Sequence, residues 1–380
     1  MYREHTIGVV VPAYNEEGFV GDVIREMPAF VDRIYVVDDR STDRTWDEIT
    51  ASARADATDW NRSDGTYGDG LATADGGAVG GSAETAPVDI TSDTLERRAS
   101  VRDPIGRVVP IRHRENRGAG GAILTGYLAA LDGGSEITVT VDGDGQMDLS
   151  QMPKLLDPVV EGADYAKGNR LLSAEYRAEM PPFRFVGNSV LSLLTKIASG
   201  YWKVSDPQNG YTAISRHALE TIAVEELYEY YGYCNDLLVT LNANRMRVAD
   251  VAIPSVYGEE ESGITYRTYI PKVSGMLLRN FLWRLKSRYL VVDFHPLVLF
   301  YLFGVASAFV GVLSGLWSLF TAARTREEDP DSSGDRSGSA SRTRDALTSA
   351  ALALFGGVSV AFAMLLDMRE NEALEDRIYE

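Results

Sequence analysis

Short apolar runs recur along the chain with stretches of helical length between them. Thr6–Val11 is apolar up to Pro12, Arg33–Val37 runs into Asp38-Asp39, Arg107–Ile111 precedes His113, and Ile137–Val141 runs into Asp142. Runs that are apolar on both faces predict strands buried on both sides, as in a parallel sheet. From Pro12-Ala13-Tyr14-Asn15-Glu16-Glu17 the chain turns into a helix through about Pro28. Ser41 and Thr42 can cap a helix from Asp43 to about Arg54, and Gly118, Gly120 and Gly121 open another through Tyr127. The alternation predicts an α/β fold with a mostly parallel sheet flanked by helices. Ligands of such sheets collect at the carboxyl ends of the strands. Pro12 to Glu16, Asp38-Asp39 and Asp142 to Asp144 all fall there.

Two departures from the alternation matter. Asp56 to Asp103 is rich in Gly, Ala, Asp, Ser and Thr, which predicts an inserted surface loop. Beyond residue 268 the pattern changes to long apolar segments. Pro296–Ala323 and Ala346–Leu366 carry no charge, and each is long enough to cross a hydrocarbon core of roughly 30 Å. Arg324 to Asp345 between them predicts a flexible loop, and 367–380 a short polar tail. Residues 269–295 form a juxtamembrane segment, in which Met276, Leu277, Phe281, Leu285 and Tyr289 stand beside Lys272, Arg279, Arg284, Lys286 and Arg288. With Trp283, this predicts an interfacial helix. In Val186–Ser199, Val190, Leu191, Leu194, Ile197 and Ala198 recur at helical spacing.

Composition narrows the partners. Lys and Arg total 37 against 55 Asp and Glu, a net charge of −18. Such a chain repels nucleic acid. It suits high salt, where self-repulsion is screened, so a halophilic archaeal source is expected. Cys234 is the one cysteine and there are four histidines, so neither a disulfide framework nor a His/Cys zinc site is expected. The first residues carry no long apolar segment, and no signal peptide is expected.

The chemistry centres on Asp142-Gly143-Asp144-Gly145-Gln146-Met147. Two carboxylates and an amide on a glycine-loosened turn suit a hard divalent cation, Mg²⁺ or Mn²⁺, whose remaining ligands are phosphate oxygens and water. An acidic β-turn without a ligand is the plain alternative.

Pro12-Ala13-Tyr14-Asn15-Glu16, Val37-Asp38-Asp39-Arg40-Ser41-Thr42-Asp43, Asn116-Arg117-Gly118-Ala119-Gly120-Gly121 and Asp142-Gly143-Asp144-Gly145-Gln146 resemble, in order and spacing, the motifs of family 2 glycosyltransferases. Gly168-Asn169-Arg170 and Asp206-Pro207-Gln208-Asn209-Gly210-Tyr211 resemble elements of its dolichyl-phosphate mannose and glucose synthase branch. The resemblance spans roughly residues 6–270. It implies a GT-A fold, a GDP- or UDP-sugar donor and a divalent metal. By it, Pro12, Tyr14 and Glu16 would line the nucleoside pocket and Asp39 would contact the base. Asp142 would contact the ribose or diphosphate, and Asp144 and Gln146 would hold the metal. Arg170, Arg184 and Gln208 would bind the acceptor phosphate, and Asp206 would orient Arg170 or serve as a base.

The implied reaction is inverting transfer of one hexose to a polyprenyl (dolichyl-type) phosphate, feeding protein or surface glycosylation. GDP-mannose, UDP-glucose and UDP-N-acetylglucosamine all fit these motifs. Transfer to a hydroxyl of a lipid-linked saccharide or glycolipid is the alternative, and a non-catalytic membrane scaffold a third reading. Nucleotide sugars are cytosolic, which places the catalytic domain on the cytoplasmic face of a two-span membrane protein. The arginines of Arg324–Asp345 would then lie outside, against the positive-inside tendency. Two departures stand out: three glutamates occupy Tyr257–Ile264, where many members carry a basic residue before a serine, leaving Arg267 as a substitute. Leu282-Trp283-Arg284 lacks the Gln-x-x-Arg-Trp pattern of polymer synthases.

Overall fold

The structure, a computed structural model, describes residues 1–63, 90–172, 182–230, 232–253, 266–328 and 336–379. Its strands are β1 (Ile7–Ala13), β2 (Arg33–Asp38), β3 (Ala99–Val101), β4 (Val108–His113), β5 (Ile137–Thr140), β6 (Tyr165–Asn169), β7 (Thr212–Ser215), β8 (Val248–Ala252) and β9 (Glu375–Ile378). Its helices are α1 (Val20–Glu26), α2 (Thr45–Ser63), α3 (Ile90–Arg98), α4 (Gly118–Asp132), α5 (Met152–Val160), α6 (Pro182–Ser199), α7 (Arg216–Thr221), α8 (Tyr233–Ala243), α9 (Tyr266–Lys286), α10 (Leu297–Glu328) and α11 (Arg336–Asn371).

The strands form one sheet in the order β3-β4-β2-β1-β5-β7-β6-β8-β9. β3 and β7 run antiparallel to their neighbours and the other pairs are parallel. Strand side chains alternate between two cores, which is why the runs are apolar throughout. Ile7, Val9 and Val11 pack with α1, α2 and α5 on one face. Val10, Tyr35 and Val37 pack with α4, α7 and α8 on the other. Gly126 lets α4 settle on β1, since a Cβ there would lie 2.2 Å from Val10 Cγ1. This is the α/β sheet of GT-A type that the resemblance implies.

The expected insertion is shorter than its composition suggested. α2 continues to Ser63, and its Asp56 accepts from the buried Arg107 at 2.8 and 3.1 Å. On the far side, buried Arg98 donates to Thr125 Oγ1 and Glu229 Oε1, and β3 pairs with β4. Residues 64–89 lie outside the described residues. Local composition is polar here because two arginines and their carboxylates meet only in the folded chain.

α10 and α11 pack as an antiparallel hairpin. Leu297–Thr321 and Thr343–Leu374 are long and apolar enough to cross a membrane. Gly311 and Gly356 bring the backbones together, for a Cβ at either would lie 2.4 or 2.3 Å from a backbone nitrogen of the other helix. The helices run on into the expected 324–345 loop, to Glu328 and from Arg336. The expected polar tail is also corrected. Asp367 and Asn371 are buried on α11, and β9 then joins the sheet beside β8.

The segment beyond residue 268 differs from its expected face, whereas two residues of the 186–199 stripe, Val190 and Leu194, point outward. On α6, Ser192, Thr195 and Ser199 are buried while Val190, Leu193 and Leu194 are exposed. After α9, a π-helical turn (Ser287–Val292) leads towards α10. Arg284 and Arg288, expected beside lipid, are buried. Arg284 donates to both oxygens of Asp367 and to the Ile197 and Ala198 carbonyls. Arg288 donates to Asn371 Oδ1 and Tyr289 Oη to Asp367 Oδ1. A helix-end cation satisfied by a distant carboxylate has no signature in its own neighbourhood. Leu278, Leu282, Trp283, Leu290, Val291, Val292 and Phe294 are exposed apolar side chains of this region.

Candidate functional site

The carboxyl ends of β5 and β6 border a cleft of about 520 Å³, its open mouth included. Asp142, Asp144, Gln146, Arg170 and Gln208 line it together with Asn209, Gly210 and Tyr211. The sheet thus joins expected site residues far apart in sequence.

One wall is the turn after β5. Gly145 has φ +71°, a left-handed conformation that reverses the chain. Gly143 packs against β1, since a Cβ there would lie 2.8 Å from the Pro12 carbonyl oxygen. Asp144 Oδ1 accepts the Gln146 N–H at 3.0 Å. Gly210 leaves room for Asp142; a Cβ there would lie 3.1 Å from both carboxylate oxygens. Burial and then the negative charge of Asp144 push Asp142 up to about 7, against the pull of Arg170 and Lys167.

The opposite wall follows β6. Arg170 Nε donates to Asp206 Oδ2 and Nη2 to Oδ1. Burial of Asp206 opposes ionisation, but the charge and hydrogen bonds of Arg170, with Lys167, hold its carboxyl below the usual range. Asp206 thus holds the Arg170 guanidinium in place. Lys167, buried in β6, donates to the Asn209 carbonyl, and burial lowers its pKa.

The other expected residues are placed as follows. Pro12 lies in β1 and Tyr14 and Glu16 follow it, and none of the three lines the cleft; Tyr14 is exposed and the Glu16 N–H donates to Thr45 Oγ1. Asp39 is buried and accepts from His113 Nδ1 and the Arg117 and Gly118 N–H groups, so it shapes the Asn116–Gly118 turn. The glycines after it serve packing: a Cβ on Gly120 would lie 2.6 Å from the Glu229 carbonyl oxygen, which accepts the Gly121 N–H. Arg184 falls in the first turns of α6, and its side chain lies outside the described residues, as do Tyr257–Ile264 and the Arg267 side chain. Asn209 and Tyr211 enter the sequence reading only within a resembling motif, and Lys167 does not enter it. A lysine inside the run Tyr165-Ala166-Lys167-Gly168-Asn169 was the available signal.

Among the described residues no three His, Cys, Asp or Glu side chains gather as a metal group. The donor set at the turn still fits a hard cation. Asp142, Asp144 and Gln146 offer only oxygen ligands from side chains, and the repulsion between the two carboxylates is what a cation would relieve.

The sequence model of the family described as Glycosyl transferase family 2 matches residues 8–62 and 87–223. The break between the two matched segments falls where the described residues stop and resume. A UDP-N-acetylglucosamine–dolichyl-phosphate N-acetylglucosaminyltransferase of Methanococcus voltae is 27% identical over 255 residues, covering 67% of this chain and 86% of that protein. A polyprenol monophosphomannose synthase of Mycolicibacterium smegmatis is 28% identical over 177 residues, covering 46% of this chain and 64% of that protein. Among solved structures, a glucosyl-3-phosphoglycerate synthase from Mycobacterium tuberculosis in complex with Mn²⁺, UDP and glucosyl-3-phosphoglycerate is similar with a TM-score of 0.45 and 20% identity, covering 74% of this chain and 80% of that one.

Proposed function

The chain belongs to glycosyl transferase family 2 and is a glycosyltransferase, and within that family we propose that it moves one hexose from a nucleotide sugar to a polyprenyl (dolichyl-type) phosphate, with inversion. The observation that carries this reading is the cleft itself, with carboxylates and an amide on one wall and Arg170 on the other. An anionic donor and an anionic acceptor both need cationic partners, and the two walls offer separate places for them.

Asp144, Gln146 and Asp142 would hold Mg²⁺ or Mn²⁺ at the donor diphosphate. When bound, such an ion neutralises charge developing on the leaving nucleoside diphosphate. Arg170, held by Asp206, would orient the acceptor phosphate. An acceptor phosphate oxygen attacks the anomeric carbon as the bond to the donor phosphate breaks. That oxygen is already anionic, so the step asks for no strong base. This agrees with Asp206 being engaged by Arg170. A hydroxyl acceptor would need a base that this pairing does not provide.

The membrane placement rests on the hairpin of α10 and α11 and on exposed Val190, Leu193, Leu282, Trp283, Val291 and Val292 beside it. The sheet would lie at the cytoplasmic face. The relatives named for transfer to dolichyl and polyprenol phosphates support the same acceptor class. Purified full-length protein supplied with GDP- and UDP-sugars and a polyprenyl phosphate, with lipid products read by mass spectrometry, tests the reading. A phosphate-linked monosaccharide lipid is expected. Products only on diphospho-linked saccharides would overturn it.

A further inference from the structure

β9 follows the membrane-length hairpin, yet it forms the edge of the sheet beside β8. It pairs with β8 so that Asp250 stands opposite Arg377, and β8 pairs with β6 so that Asp250 also stands opposite Lys167. Lys167, Asp250 and Arg377 thus form a row of alternating charge across three neighbouring strands. Lys167 and Asp250 are fully buried, and Arg377 Nε lies 3.9 Å from Asp250 Oδ2. Buried charges of this kind hold one another in place across a sheet.

Each member of the row touches the segments that carry Arg170 and Asp206. Asp250 Oδ2 accepts from Asn169 Nδ2 at 2.5 Å, one residue before Arg170. Lys167 Nζ donates to the Asn209 carbonyl. Arg377 Nη2 donates to the Lys203 carbonyl and, at 3.2 Å, to Ser205 Oγ, one residue before Asp206. Glu375 adds a fourth tie, its Oε2 accepting the Lys203 N–H at 2.6 Å. The residues that precede Arg170 and Asp206 in the chain are therefore both tied to this row.

We propose that the C-terminal strand β9 is a positioning element of the acceptor wall, with Arg377 as a positioning residue for Arg170 and Asp206. The proposal rests on the reading that Arg170 meets the acceptor phosphate. A wall residue displaced by a fraction of an ångström loses its alignment with a bound phosphate even where the fold survives.

The test uses the full-length protein in nanodiscs, as Arg377→Gln, Arg377→Lys and Ser205→Ala. Arg377→Gln should raise the KM for polyprenyl phosphate about tenfold while the KM for the nucleotide sugar stays within about twofold. Amide exchange over 169–171 and 203–209 should quicken, and Arg377→Lys should recover most of both effects. If Arg377→Gln does not fold, Ser205→Ala carries the test, with a smaller shift in the same KM and in the same amides. Unchanged exchange and acceptor KM, or a parallel rise in both KM values, would overturn the proposal. If the wild type transfers nothing to polyprenyl phosphate, the acceptor reading falls, and the exchange over the two segments alone decides whether β9 positions them.

Discussion

Arg170 grips Asp206 with three donors: Nε at 2.7 Å, Nη2 at 3.1 Å and its own backbone N–H at 3.3 Å. The fork fixes the plane of the guanidinium at the mouth of the cleft. Asp206→Asn keeps the size but removes the charge. It is expected to lower kcat/KM for the lipid phosphate about tenfold or more. An unchanged kcat/KM would remove the pair from the acceptor wall.

Asp142 gives a pH signature. Its carboxyl is pushed up to about 7, so it holds a proton below that pH and is a carboxylate above it. A cation needs the carboxylate, and binding must then release a proton. Mn²⁺ affinity measured calorimetrically should fall by about tenfold per pH unit below about 7 and level off above it. A flat affinity across that range would place the cation away from Asp142.

Asp144→Ala removes the second carboxylate of the turn. Turnover should drop by about a hundredfold or more, with circular dichroism unchanged, because an ion held at the donor diphosphate would lose a direct ligand. Wild-type turnover by this variant would exclude Asp144 from the metal site.

Asp56 and Arg107 mark where the sheet's support begins. Excising 64–89 should leave the melting temperature of the protein close to that of the intact chain. Excising 56–103 removes a buried ion-pair partner, α3 and β3, and leaves Arg107 buried and uncompensated. Loss of one such partner costs about 3–5 kcal/mol, and the larger excision is expected to yield no folded protein. Equal melting temperatures for both would show that Asp56 and β3 carry no weight.

Arg284 and Asp367 are both buried and doubly hydrogen-bonded, at 2.9 and 2.8 Å. Asp367→Ala should destabilise the protein in detergent by about 3–5 kcal/mol, and adding Arg284→Met should recover much of the loss. Equal stability of the single and double variants would deny the coupling.

The sequence alone determined the local features. Apolar runs bounded by Pro12, Asp38 and Asp142 marked the buried strands, because burial on both faces leaves its imprint on consecutive residues. Uncharged stretches marked the helical hairpin for the same reason. Tertiary structure decided everything that depends on partners distant in the chain. Asp206 became the partner of Arg170 only once β6 and the segment before β7 brought the two together. Asp39 turned inward because His113 and the Arg117–Gly118 backbone surround it. Arg284 and Arg288, polar in any local pattern, were drawn inside by Asp367 and Asn371. Glu375 to Ile378, a charged tail by composition, became a strand because β8 offers an open edge and the 203–205 segment offers Arg377 its partners.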